Sequence, residues 1–143
     1  MRLTSQTDYA LRVLLFAGST DHSITINTIA QAFGISKEHL RKVVHALAQQ
    51  GYLHTTQGRS GGITLGKAAD QINIADVVRI FESDVLVECF DKDTNTCPIL
   101  GMCGLKHALL KAQRSFMDTL GQYYLSDMLA NPRLAVFVRQ HAA

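Results

Sequence analysis

Cys89, Cys97 and Cys103 are the only cysteines of the 143-residue chain, and they share one short segment with Cys-x7-Cys-x5-Cys spacing. An odd number of thiols cannot pair fully within one chain, so a disulfide framework is not the expectation. Three thiols on a loop with Pro98, Gly101 and Gly104 are a donor set for a soft metal centre. Several chemistries fit it: an iron–sulfur cluster, a zinc site with one tetrahedral position left to fill, or redox thiols without metal. An isolated free cysteine is often just a small buried hydrophobe; three in one polar, glycine-containing loop favour a metal. His22, His39, His45, His54 and His141 form no ligand-spaced set, and His107 reads as a helix-surface residue. Asp84, Glu88, Asp91 and Asp93 read as acids that solvate the loop.

The loop must be held by what flanks it. Ile74 to Phe81 predicts a short amphipathic helix on its N-terminal side. On the other side, Leu105, Leu109, Ala112, Phe116, Leu120, Tyr123 and Met128 recur mostly at steps of three or four. That period predicts one helix over 105–130, about 39 Å long at 1.5 Å per residue. So small a chain cannot cover such a stripe, so it is expected to pack against a second copy in a symmetric homodimer. Asn131-Pro132 ends the pattern, and Arg133 to Gln140 suggests a short terminal helix.

The first half carries a different pattern. Tyr9 to Ala17 is apolar except for Arg12, bounded by Thr4 or Ser5 as N-cap and by Gly18; it reads as a buried central helix. Ile26–Phe33 and Ser36–Gln50 are two further helical patterns separated by Gly34-Ile35. This is a helix-turn-helix template: small Ala30 at the crossing, Gly34 where positive φ is needed, and Ile29, Phe33, Ile35, Leu40 and Val43 as its core. The second helix, capped by Ser36, would enter a major groove N-terminal end first. That places Ser36, Lys37, Glu38, His39, Arg41 and Lys42 near base edges or phosphates of double-stranded DNA. Tyr52 to Leu65 reads as two short strands around a glycine-rich turn, a wing with Arg59 at its tip able to reach a minor groove.

The expected class is mainly α: a winged helix-turn-helix domain over 1–82, a cysteine loop over 83–104, and a dimerisation helix with C-terminal tail over 105–143. Net charge is +2, split as +3 over residues 1–70 and −1 over 71–143, so the basic excess lies on the DNA-reading side. No run approaches the roughly 18 apolar residues of a membrane span, and the N-terminus lacks a signal-peptide core. A cytoplasmic, thiol-reducing location without membrane contact is therefore expected. No nucleophile–base constellation, P-loop or dinucleotide fingerprint is present, so an enzyme is not expected.

These residues together resemble the Rrf2 family of bacterial winged-helix transcription regulators. The likeness is carried by Leu3-Thr-Ser-Gln-Thr-Asp-Tyr-Ala-Leu-Arg12, the helix-turn-helix, the wing Gly58-Arg-Ser-Gly-Gly-Ile-Thr-Leu-Gly66, Ile74 to Glu82, and the cysteine loop. Within the family, Cys97-Pro-Ile-Leu-Gly-Met-Cys-Gly-Leu-Lys-His-Ala-Leu109 and Tyr124 to Leu129 are most similar to the nitric-oxide-sensitive repressors. The resemblance implies one iron–sulfur cluster per subunit, 2Fe–2S or 4Fe–4S, on Cys89, Cys97 and Cys103. It also implies operator binding as a homodimer and nitric oxide as the signal. In some relatives an aspartate from the partner's first helix completes the ligand set, and Asp8 occupies the matching place. Relatives that regulate cluster biogenesis use a histidine three residues after the last cysteine. Here that position is Lys106, with His107 one residue later. A cluster-supply or redox regulator, or a small cluster carrier, are the competing expectations.

Overall fold

A computed structural model describes residues 2–56, 58 and 61–142. Its helices are α1 (Ser5–Gly18), α2 (Ile26–Phe33), α3 (Lys37–Gln49), α4 (Ile74–Phe81), α5 (Gly104–Leu120), α6 (Leu125–Leu129) and α7 (Pro132–Ala142). Strands β1 (Leu53–Thr55) and β2 (Ile63–Leu65) form one antiparallel ribbon, paired Leu53 with Leu65, His54 with Thr64, and Thr55 with Ile63. This is the expected winged helix-turn-helix with C-terminal helices.

α1 is the central element. Thr4 caps it by accepting the Thr7 N–H, and Ala10, Val13, Leu14, Phe16 and Ala17 are buried against α3, α4, α6 and β2. Each such large apolar side chain contributes about 1.5–3 kcal/mol on burial. The helix-turn-helix core forms as the spacing predicts, with Ile29, Ala30, Ile35, Leu40 and Val43 buried. Phe33 differs: it is only partly buried, set edge-on to Phe16 at 5.9 Å and covered by Phe137 of α7 at 5.6 Å. Gly34 ends α2 at φ 64°, a left-handed conformation that favours glycine. The ribbon is tied to the body by a bridge between Ile24 and Ile63, whose N–H groups bond each other's carbonyls at 3.0 and 2.7 Å. Gly62 sits under that bridge, where a Cβ would lie 2.6 Å from the Ser23 side chain.

The helix expected over 105–130 is divided. α5 stops at Leu120 and α6 starts at Leu125, because residues 121–125 bond the segment that leads into α4. Asn73 donates its side-chain amide to the Gly121 carbonyl (2.8 Å), Ile74 N–H bonds the Tyr123 carbonyl (3.0 Å), and Leu125 N–H bonds the Ile72 carbonyl (2.9 Å). Asp127 then caps α6 by accepting the Tyr124 N–H at 2.7 Å. Steps of three and four carry apolar residues across this break, so periodicity does not register it. The break returns the chain to the core, where Leu125 and, on α7, Val138 are completely buried. The terminal helix forms as expected, starting at Pro132.

Candidate nucleic-acid interface and cysteine loop

α3 divides cleanly into two faces. Leu40, Val43, Val44 and Leu47 pack inward; Ser36, Lys37, Glu38, His39, Arg41, Lys42 and His45 are exposed. Ser36 caps the helix through the His39 N–H at 3.3 Å, which fixes the end that would meet DNA. Glu38 and Arg41 form an ion pair one turn apart on this surface. An exposed pair of this kind contributes little, so it does not commit the Arg41 guanidinium to Glu38. His39 lies 6.1 Å from the Tyr9 ring, which links the start of α3 to the first turns of α1.

Between α3 and the wing runs an open groove of about 480 Å³ lined by Lys37, Arg41, His45, Thr25, Asn27 and Thr56. Two cations, a histidine and several hydroxyl or amide groups suit a sugar–phosphate backbone. Thr25, Asn27 and Thr56 were invisible as site residues in the sequence, because only the packing of α2 and the wing beside α3 brings them there. Thr56 also shapes the wing: its N–H bonds the Gly62 carbonyl and its hydroxyl accepts the Gly62 N–H, both at 2.9 Å. Arg59, expected at the wing tip, lies outside the described residues.

The cysteine loop joins α4 to α5 with a single 3-10 turn over Glu88–Phe90 and otherwise only turns. All three cysteines are free and half-buried. Glu88 accepts both the Thr96 N–H (2.8 Å) and the Thr96 hydroxyl (2.7 Å), drawing together the neighbours of Cys89 and Cys97. These bonds hold the Glu88 carboxyl below its ordinary range. Asp91 is lowered likewise, first by the Thr94 hydroxyl and then by the Asp93 N–H. The Cys97 N–H bonds the Asn95 side chain at 3.1 Å, and Cys103 is the N-cap residue of α5. Its own side chain makes no capping bond.

Sequence reasoning placed the three thiols correctly on one loop. Among the described residues, however, no three His, Cys, Asp or Glu side chains of a single chain converge tightly enough to hold a metal ion. Free, half-buried thiols on a loop of turns remain a donor set that fits a soft centre, once the loop closes around it. Asp8 is exposed on the first turn of α1 and is bonded twice to Arg12, at 2.8 and 3.1 Å. Arg12 in turn lies over the Phe33 ring. His107 is exposed on α5, as expected.

α5 buries none of its seventeen residues completely. Leu105 is 63% exposed and Met102, just before the helix, 82%, with Ile99 and Leu100 also exposed. Exposed apolar residues this close in sequence are a candidate surface for a covering partner. Among the described residues, no helix is long and apolar enough to cross a membrane.

Comparison with known proteins agrees with this geometry. Residues 3–131 match the family model described as Rrf2, iron-dependent transcriptional regulator. The HTH-type transcriptional regulator NsrR of Bacillus licheniformis is 47% identical over 134 residues, covering 92% of this chain and 94% of that protein. The HTH-type transcriptional regulator NsrR of Bacillus subtilis is 46% identical, covering 92% of each. Among solved structures, CymR, the global cysteine regulator of Bacillus subtilis, superposes with a TM-score of 0.72 at 17% identity. It covers 91% of this chain and 97% of that one, and so shares the fold.

Proposed function

Because the chain belongs to the Rrf2 family of transcriptional regulators, and is not an enzyme, we propose that it is a nitric-oxide-sensing repressor that binds operator DNA as a homodimer. The observation that carries this reading is the pairing of an exposed, cation-rich α3 with a loop that gathers every thiol of the chain. Cys89, Cys97 and Cys103 would hold an iron–sulfur cluster, one per subunit. Bound there, it supplies an iron with an incomplete set of thiolate ligands, open to a small diatomic such as nitric oxide.

The rest falls to the chain's own residues. The three thiolates would cross-link the loop and fix its path from α4 to α5. Asp8 of the partner subunit would complete the ligand set as a harder, more easily displaced donor. Asp8 holds Arg12 in the isolated chain, so ligation takes that carboxylate away from Arg12. Loss of Asp8 and of the loop's closure would alter how the two α1 helices are held, and with them the spacing of the α3 helices. Half-sites about one helical turn apart are matched only when that spacing is right. Ser36, Lys37, Glu38, His39, Arg41 and Lys42 would contact the operator, with Arg59 on the wing. Residues 1–82, 83–104 and 105–143 would divide these tasks into DNA reading, signal capture and dimerisation.

The test is a visible absorption titration with nitric oxide on anaerobically purified protein, followed by operator binding. Sulfur-to-iron charge-transfer bands that bleach as operator affinity falls are the expected result. A coloured centre indifferent to nitric oxide would point to iron or cluster-supply sensing. A colourless protein, zinc-loaded or metal-free under strict anaerobiosis, would defeat the cluster reading.

A further inference from the structure

We propose that Glu82 is a positioning residue that couples the cysteine loop to α1, and through α1 to the DNA-reading helix. This rests on the reading above, in which the state of the loop sets operator affinity.

Glu82 stands where α4 gives way to the loop. Its backbone is extended (φ −105°, ψ 142°), while its N–H still bonds the Val78 carbonyl at 3.0 Å. One end of the residue is thus fixed on α4, and the next residue, Ser83, opens the loop. Its carboxylate reaches in the other direction, with one oxygen accepting three hydrogen bonds from α1's N-terminus. The Thr4 N–H lies at 2.7 Å and the Thr4 hydroxyl at 2.9 Å, and the Thr7 hydroxyl donates to the same oxygen. Thr7 is the only buried polar residue among the described residues, and a buried hydroxyl needs a partner. Thr4 is also the cap of α1, accepting the Thr7 N–H, so one carboxylate organises the whole helix start.

The loop is clamped from its other side as well. The Asp84 carbonyl accepts the Gln113 side-chain amide of α5 at 2.9 Å. Residues 82–84 are therefore held between the α1 cap and α5. A loop movement that draws Glu82 away strips the Thr4 N–H of its side-chain acceptor and leaves the Thr7 hydroxyl only the Thr4 hydroxyl, 3.0 Å away. Two residues beyond Thr7, Tyr9 meets His39 in the first turn of α3. The first two turns of α1 thus touch the start of the loop through Thr7 and Glu82, and the exposed end of the recognition helix through Tyr9 and His39. Physical succession alone does not establish coupling, so a coupling measurement has to decide.

The experiment uses full-length, anaerobically prepared metal-loaded protein with Glu82→Ala, Glu82→Gln, Thr7→Val and Thr7→Ser. Operator Kd is measured before and after nitric oxide, with metal content, melting temperature and hydrogen exchange over residues 4–9 as parallel readouts. Wild type is expected to show a Kd ratio within the usual range for allosteric coupling, about 5- to 150-fold. Glu82→Ala brings that ratio to within about 2-fold while metal content and colour persist. Thr7→Val reduces it, Thr7→Ser preserves it by keeping the hydroxyl, and adding Thr7→Val to Glu82→Ala changes nothing further. In wild type, exchange over residues 4–9 follows the treatment of the loop; in Glu82→Ala it does not. Should Glu82→Ala fold poorly, Glu82→Gln and the Thr7 pair decide: a wild-type ratio in both Glu82→Gln and Thr7→Val overturns the proposal. So does a Glu82→Ala protein with a lowered melting temperature but an unchanged ratio. Absence of any ratio in wild type overturns the sensor reading and this proposal together, whereas a wild-type ratio that survives Glu82→Ala overturns the proposal alone.

Discussion

The helix-turn-helix region and the cysteine-loop region bury themselves to very different extents. α1, α3 and the wing share a continuous core of fully buried Val13, Leu14, Phe16, Leu40 and Leu47. The loop and α5 have no completely buried residue and expose Ile99, Met102 and Leu105. The first region is finished by its own sequence. In the proposed reading the second would be completed by a group bound to its thiols and by a second copy on its apolar face. Rigidity on one side and incompleteness on the other is what a regulator needs if a chemical event is to move a fixed DNA-reading surface.

The largest effect that sharpens this contrast is expected from Cys97→Ser. Bound iron and charge-transfer absorption should fall to a small fraction of wild type, while the metal-free protein's stability changes by less than about 1 kcal/mol. Iron analysis beside a denaturant melt measures both, and a large stability loss without metal loss would make Cys97 a packing residue. Next, Phe16→Ala should cost about 3–5 kcal/mol by cavity formation, and Leu105→Ala less than about 1 kcal/mol within a single chain. Sedimentation should show that Leu105→Asp weakens self-association; equal destabilisation by Phe16→Ala and Leu105→Ala would erase the contrast. Lys42→Ala is expected to reduce the slope of log operator affinity against log salt by about 1, as one phosphate contact does. An unchanged slope would remove Lys42 from the interface.

The smallest effect concerns pH. Burial pushes the Glu82 carboxyl upward, but the hydrogen bonds from Thr7 and Thr4 outweigh it, so its folded pKa lies below the ordinary 4.5. The unfolded chain therefore binds this proton more readily. Stability from the group is fully present above about pH 4.5 and is lost as pH falls through the folded value. Unfolding midpoints followed down through that range should decline less steeply in Glu82→Gln than in wild type; identical slopes would show that the carboxylate's bonds add nothing.

Much of the fold was legible because its signals are local. Thr4, Ser36, Gly34 and the alternation of buried and exposed positions in α3 each act within one or two turns, and the structure places them as read. The clustering of the thiols was equally plain. Non-local features were hidden. The break at 121–124 depends on the hydrogen bonds of Asn73 and Ile74, some fifty residues earlier in the chain. The tie from Glu82 to Thr7 spans 75 residues, with nothing in either local sequence to announce it.

The sequence by itself determined the helix-turn-helix, the wing, the placement of three thiols on one loop and the apolar stripe that follows. These rest on helix periodicity, caps, glycine turns and residue chemistry, all of which act over short stretches of chain. Only the tertiary structure decided that the stripe is two helices, that Thr25, Asn27 and Thr56 share a groove with Lys37 and Arg41, and that one carboxylate joins the loop to α1. Those outcomes depend on which backbone and side-chain donors find acceptors across the fold, and sequence distance carries no record of that.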